Sequence, residues 1–363
     1  MCGIWAVFGV SADFSVCVSY AMKICHRGPD AFRMETIPHF QNCCLAFHRL
    51  AILDDLHGMQ PMRVKALPHL YLIYNGEIYN YKKLGKQFGF EYVTNCDAEV
   101  ILHLYNKVGI ERMAQMLDGV FAFCVVDTKY KQVHIGRDTF GVRPLFVLKK
   151  AGKKNAGILA VSSEAKALIP LMIQFKKQGC KMKISPCPPG QCASYCLSRN
   201  GKTTFIEQKA FTGVGTLPLF ETNVKPVWND VMENIRNLFT EAVRKRLIGD
   251  RKIGCLLSGG LDSSLVASYL TKLAKENGIE YPVQTFSVGM EGSTDIVAAR
   301  KVAQHIGKSI SYLSVLIYLN SLCFYLEYSR LFIIRNIPKH FTETLQNILE
   351  RCLTSTNVIS LEQ

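Results

Sequence analysis

Apolar and polar positions follow two rhythms along the first part of the chain. Short, nearly continuous apolar runs at Gly3–Val10, Cys43–Leu53, Leu70–Asn75, Val120–Asp127, Val133–Arg137 and Ile158–Ser162 predict strands. Apolar residues recurring at helical spacing over Ser15–Ile24, Tyr79–Phe88, Asp97–Lys107 and Ile110–Leu117 predict helices. Strands outnumber helices and often follow one another directly, so stacked antiparallel sheets with helices outside are expected.

The rhythm breaks between 170 and 225, where Pro186, Pro188, Pro189 and Pro218 join Gly190, Gly201, Gly213 and Gly215. Such punctuation predicts loops and an inter-domain connection. A different alternation follows: a helix at Asn229–Leu247, strand Lys252–Leu257, helix Ser263–Asn277, strand Val283–Val288, helix Thr294–Ile306 and strand Ser309–Val315. Strands separated by single helices predict a parallel, right-handed α/β sheet. From about Leu316 this order stops, with no glycine after Gly307 and no aspartate after Asp295. Ser309–Leu326 carries no charge, but its first third reads as the last strand, and Asn320, several serines, Glu327 and Arg330 argue against a membrane span.

Composition changes this picture little. With 363 residues, 48% hydrophobic and 20% charged, the chain has the apolar surface for two cores. Its 43 basic and 29 acidic residues leave a net charge of +14. The excess gathers at 149–154 and 176–183, beside glycines and without interleaved aromatics, so solvated loops are expected and a nucleic-acid partner is not. The 14 cysteines are scattered, several of them in apolar contexts such as Cys44, Cys124 and Cys255. Free thiols and the lack of a basic, apolar leader predict a cytoplasmic protein. Cys187, Cys192 and Cys196 have no C-x-x-C spacing and no nearby histidine, so no metal site is expected.

Candidate chemistry begins at Cys2. Removal of Met1 would leave one residue with both a thiol nucleophile and an α-amine base, whose ordinary pKa values lie near neutrality. Four clusters could serve it: His26–Asp30, Arg49 in an apolar strand, an Asn75-Gly76 turn before a helix, and Asp97 at a helix start. Singly, each has a structural reading: a turn, a buried ion pair, a hairpin-type turn and an N-cap. Together they make a site in which a guanidinium binds a carboxylate, a carboxylate binds an ammonium group, and an amide with a glycine N–H holds an oxyanion. Glutamine, attacked at its side-chain amide, fits that equipment. Farther on, an apolar strand runs through Ser258-Gly259-Gly260-Leu261-Asp262-Ser263 into a helix, a turn that cradles phosphate. It lacks the Walker G-K-[ST] ending and the G-x-G-x-x-G fingerprint, which points to ATP split between its α- and β-phosphates.

From these residues the chain resembles the glutamine-hydrolysing asparagine synthetases in their animal form. The motifs are Met-Cys-Gly-Ile at the start, His-Arg-Gly-Pro-Asp at 26–30, Tyr-Asn-Gly-Glu-Ile-Tyr-Asn at 74–80, Gly-Arg-Asp-Thr-Phe-Gly-Val-Arg-Pro-Leu at 136–145 and Ser-Gly-Gly-Leu-Asp-Ser at 258–263. The resemblance implies an α/β two-domain chain: an N-terminal-nucleophile α-β-β-α sandwich and an incomplete parallel α/β domain of ATP-pyrophosphatase type. Its expected segments are a glutaminase domain at 1–190, a linker at 191–225, a partial synthetase domain at 226–315 and a divergent tail at 316–363. It implies Cys2 as nucleophile, Asn75 and Gly76 as oxyanion donors, and Arg49, Leu50, Ile52, Asn75, Gly76, Glu77 and Asp97 as glutamine-binding residues. For ATP it implies Leu256, Ser258, Gly259, Gly260, Asp262, Ser263 and Val288, with Mg2+ accompanying the nucleotide. The implied substrates are glutamine, ATP and aspartate, and a homodimer is left open. The tail departs from the family, which leaves two alternatives: a glutaminase alone, or a non-catalytic fragment.

Overall fold

Successive residues of the first strand enter different cores. Ile4, Ala6 and Phe8 point into one apolar cluster, and Trp5 and Val7 into another. This period of two means the strand is buried on both faces. The structure, a computed structural model, describes residues 1–150, 157–213, 227–289, 293–307, 310–314 and 333–335. It divides into two units, Met1–Glu221 and Thr222–Gln363.

The first unit runs β1 (Gly3–Phe8), α1 (Phe14–Ala21), β2 (Ala31–Thr36), β3 (Cys43–Arg49), β4 (Leu70–Ile78), α2 (Tyr81–Phe88), α3 (Glu99–Met116), β5 (Gly119–Asp127), β6 (Gln132–Arg137), β7 (Phe146–Lys150), β8 (Leu159–Ser162), α4 (Ile169–Lys177), β9 (Met182–Pro186), β10 (Gln191–Leu197) and β11 (Thr203–Ala210). Two antiparallel sheets result, ordered β2-β3-β1-β8-β7-β9 and β11-β10-β6-β5-β4. Their facing sides share one core, with Phe8, Phe47 and Val161 from the first sheet against Ile73, Cys124 and Ile135 from the second. On the outer side of the first sheet, Trp5, Val7 and Ala46 pack with Cys17 and Ala21 of α1 and Leu171 and Phe175 of α4. Complete burial of a side chain such as Phe8 or Phe47 contributes about 1.5–3 kcal/mol. The outer face of the second sheet is tied to α3 by Tyr105, whose hydroxyl reaches Asp127 of β5 at 3.0 Å and His134 of β6 at 3.1 Å. The sandwich expected from the sequence is therefore present in this unit.

Asn75-Gly76 is not a turn: β4 continues to Ile78, pairing Asn75 with Ala122 and Gly76 with Phe121. Nor does a linker begin at 191, because β10 and β11 close the second sheet in register with β6. Pro186–Gly190 and Gly201 mark the short turns between these strands, not a domain boundary. Helices predicted on either side of Gly109 form α3, which is broken by non-helical geometry at that glycine.

The second unit runs α5 (Trp228–Arg244), β12 (Ile253–Leu256), α6 (Leu261–Glu276), β13 (Gln284–Gly289), α7 (Thr294–His305), β14 (Ile310–Ser314) and β15 (Ile333–Arg335). The sheet order is β14-β13-β12-β15. As expected, β12, β13 and β14 are parallel, and β15 adds an antiparallel strand on the open edge of β12. Its core joins Ile253, Cys255 and Leu257 to Leu270, Leu273 and Ala299. Apart from β15, the tail at 316–363 lies outside the described residues, as does most of the uncharged run at 309–326.

Candidate active site

Cys2 precedes β1 at the edge of the core between the two sheets. Its thiol donates to the Leu50 carbonyl at 3.5 Å and accepts from the Leu50 N–H at 3.4 Å. Burial pushes the thiol pKa up, opposed by the adjacent terminal ammonium, the Leu50 hydrogen bond, Arg143 and Arg27. Burial also lowers the terminal amine, here on Met1, to about 6. With Met1 in place that amine is therefore largely neutral at pH 7.

An open pocket lies over the thiol. It is lined by Cys2, Arg49, Leu50, Ile52, Gly76 and Asp97 of the expected set, together with Ala51, Gln60 and Tyr74. Residues far apart in sequence meet because β3 and β4 end on the same side of the sandwich.

The geometry of β4 sets how Asn75 and Gly76 are presented. It is an edge strand, and the N–H groups of its even-numbered residues point away from β5. Leu72 N–H bonds the Met62 carbonyl at 3.1 Å, Tyr74 N–H the Gln60 side chain at 2.5 Å and Ile78 N–H the Asp97 carboxylate at 2.7 Å. Gly76 lies in the same row, and its residue lines the pocket. A side chain there would overlap the Val120 carbonyl, so the glycine permits the close strand pairing. Asn75 points to the opposite face, the same as Tyr71 and Ile73, toward the core against which Cys2 packs. Its side chain is buried, and its Nδ2 has no hydrogen-bond partner among the described residues. A buried amide nitrogen without a partner costs about 1–3 kcal/mol, which a bound oxyanion would recover.

Asp97 is not the N-cap of α3, which starts after Ala98. Its Oδ2 accepts from Tyr74 OH at 3.0 Å as well as from Ile78 N–H. Arg49 is buried, and its guanidinium donates to the carbonyls of Leu53, Asp54 and Asp55, shaping the 53–55 loop beside the pocket. Glu77, absent from the pocket lining, pairs with Arg143 at 3.2 Å. Sequence reading missed Gln60, which carries no motif, and the supporting roles of Ser163 and Glu164. Ile4 N–H donates to Ser163 Oγ at 3.0 Å. Glu164 binds Arg27 at 3.0 Å, and Arg27 Nε donates to the Cys2 carbonyl at 3.0 Å. Burial alone would raise the Glu164 pKa, but hydrogen bonds from His26 and Arg27 hold it down to about 2.

The second unit gathers the other expected set. Leu256 ends β12 and Val288 is the penultimate residue of the neighbouring parallel strand β13; at 39% and 47% exposed, both offer apolar surface at the carboxyl edge of the sheet. Ser258–Gly260 turn from β12 into α6, with Ser258 Oγ 2.9 Å from Ser263 Oγ and 3.4 Å from Gly260 N. Gly259 adopts φ +83°, and a side chain there would press on Ala298 and Ala299 of α7. The first N–H groups of α6 have no intrahelical acceptor, and the helix dipole adds to their pull on an anion. Asp262 is exposed in the first turn.

A glutamine amidotransferase domain model matches residues 1–185, and an asparagine synthase model matches 234–315. The asparagine synthetase [glutamine-hydrolyzing] of Gallus gallus is 54% identical over 316 residues, covering 85% of this chain and 55% of that protein. The Homo sapiens protein of the same description is 52% identical over 314 residues, with the same coverage. The chain thus spans about half the length of these curated relatives. Among solved structures, the glutamine phosphoribosylpyrophosphate amidotransferase of B. subtilis, complexed with ADP and GMP, gives a TM-score of 0.46 at 17% identity over 85% of this chain and 65% of that one. By sequence motif, sandwich architecture and the residues around Cys2, the chain belongs to the glutamine amidotransferase domain family.

Proposed function

We propose that this chain carries out glutamine-dependent asparagine synthesis, with glutamine hydrolysed at Cys2 and the ammonia used for ATP-dependent amidation of aspartate. The observation that carries the hydrolytic half is the buried, unpartnered Asn75 amide on the strand that also brings Gly76 to the pocket over Cys2.

In this reading, removal of Met1 leaves the α-amine on Cys2, where it takes the thiol proton. The sulfur attacks the side-chain amide carbon of glutamine. A C–S bond forms, and the carbonyl electrons move onto an oxygen received by Asn75 Nδ2 and Gly76 N–H. The ammonium on Cys2 returns its proton to the leaving nitrogen, the C–N bond breaks, and water then hydrolyses the thioester to glutamate. Asp97 offers a carboxylate to the α-ammonium of glutamine, and Arg49 a guanidinium beside its carboxylate. Leu50 and Ile52 line the same pocket.

For the second half, residues Ser258–Ser263 and the α6 N-terminus would hold the pyrophosphate of ATP, with Leu256 and Val288 against the adenine nucleotide. Attack of an aspartate carboxylate oxygen on the α-phosphorus expels pyrophosphate, and ammonia then displaces AMP. Asp262, exposed in the first turn of α6, is the carboxylate of the loop that could hold a Mg2+ ion arriving with the nucleotide. When bound, the ion would neutralise phosphate charge.

A paired assay tests the proposal. The intact protein is expected to release glutamate from glutamine and, with ATP and aspartate, to form AMP. Cys2→Ala should remove glutamate release while leaving AMP formation from added ammonia. Glutamate without AMP would restrict the chain to the hydrolytic half. Glutamate release surviving Cys2→Ala would reject the nucleophile.

A further inference from the structure

The nucleophile stands at the start of a chain, where a terminus ordinarily frays. Here the residues around it are held by one short segment from the far end of β8. Ser163 grips β1 twice: its Oγ accepts from Ile4 N–H at 3.0 Å, and its N–H donates to the Ile4 carbonyl at 2.9 Å. Next to it, Glu164 Oε1 accepts from Arg27 Nη1 at 3.0 Å and His26 Nε2 at 2.9 Å, and Oε2 lies 3.0 Å from Lys166 Nζ. Arg27 then donates through Nε to the Cys2 carbonyl at 3.0 Å. The Arg27 side chain is 8% exposed and that of Glu164 25%, so the pair is sheltered from screening. Among the described residues Arg27 has no second carboxylate in hydrogen-bond contact, and its buried Nη2 has no partner. Glu164 is thus the group that fixes where the guanidinium sits.

We propose that Glu164 is a positioning residue for the nucleophile: acting through Arg27, it holds the Cys2 main chain so that the thiol faces Asn75 and Gly76. The proposal rests on the glutaminase reading for its kinetic consequence, but the clamp on Cys2 does not. Glu164 does not line the pocket, so its loss should act on orientation and spare substrate binding. A misplacement of about 1 Å at a reacting group costs on the order of 100-fold in rate.

Two readouts on the full chain test this. For glutamine hydrolysis, Glu164→Gln is expected to lower kcat at least about tenfold while KM stays within about twofold, since only an interaction that orients the reacting group is removed. Separately, alkylation of Cys2 by iodoacetamide, followed on its own peptide by mass spectrometry, is measured in a double-mutant cycle with Arg27→Gln. Glu164→Gln should change that rate by about threefold or more when Arg27 is present and leave it unchanged when Arg27 is absent, because contacting residues couple. Equal effects in both backgrounds would mean that Glu164 acts by its own charge, and would overturn the proposal. So would an unchanged kcat, or a loss confined to KM. If Glu164→Gln fails to fold by thermal melt, Glu164→Asp replaces it in the same cycle. If the unaltered chain hydrolyses no glutamine, the alkylation cycle alone decides the clamp, and the functional reading fails separately.

Discussion

Asn75 and His134 are both buried polar residues, and their hydrogen bonding differs. The His134 ring is saturated, with Nδ1 2.9 Å from Ser194 Oγ and Nε2 3.1 Å from Tyr105 OH. Burial lowers its pKa from 6.5 to about 4. The unfolded chain therefore binds more protons between these values, so the His134 contribution is complete above pH 6.5 and is lost as pH falls toward 4. It amounts to about 3 kcal/mol. His134→Gln should flatten the rise of stability between pH 4 and 6.5, measured by urea unfolding at each pH. Asn75 is the opposite case, since its Nδ2 has no hydrogen-bond partner among the described residues. Asn75→Ala is expected to cut kcat for glutamine hydrolysis by about 10²–10³. It should leave the melting temperature within a few degrees or raise it, and a large loss of stability would assign the amide a structural role instead.

At the level of elements, the sequence was most legible where apolar runs were long. The strands later found at β1, β5, β6, β12 and β13 and the helices α2, α6 and α7 agree with expectation to within a few residues. Short or edge elements were hidden. Polar alternation and flanking prolines concealed β9, β10 and β11, because those strands are formed by pairing with β7 and β6 more than by their own pattern. The same cause hid the end of β4: Asn-Gly is a turn signal locally, but nine residues of register with β5 override it. Cys2, Arg49, Gly76 and Asp97 were nonetheless legible as one site, because their chemistry is complementary whatever their secondary structure. Gln60 and Glu164 were not, since a single side chain bound to a distant backbone or guanidinium leaves no spacing to read. One element-scale prediction concerns the α6 turn. Gly259→Ala, strained at φ +83° and pressing on α7, should abolish ATP-dependent AMP formation. Glutamine hydrolysis should persist, because the β4 edge and its pocket lie wholly within the first unit.

Across the whole molecule, the two units each carry their own core, and family models match one in each. The relatives are about twice as long as the matched part, so the hydrolytic chemistry is the part of the account that this chain's described residues support most fully. In the proposed hydrolysis, one thiol among 14 cysteines is the nucleophile for glutamine. Most other described thiols are buried in apolar surroundings; burial pushes the Cys43 and Cys255 thiols up to about 12 and raises those of Cys124 and Cys192 as well. The most direct measurement is peptide mapping after exposure of the intact protein to a glutamine analogue with an electrophilic carbon in place of the side-chain amide. One equivalent of label on Cys2, prevented by excess glutamine, is predicted. Label distributed over other cysteines, or label on Cys2 that glutamine does not prevent, would contradict the account.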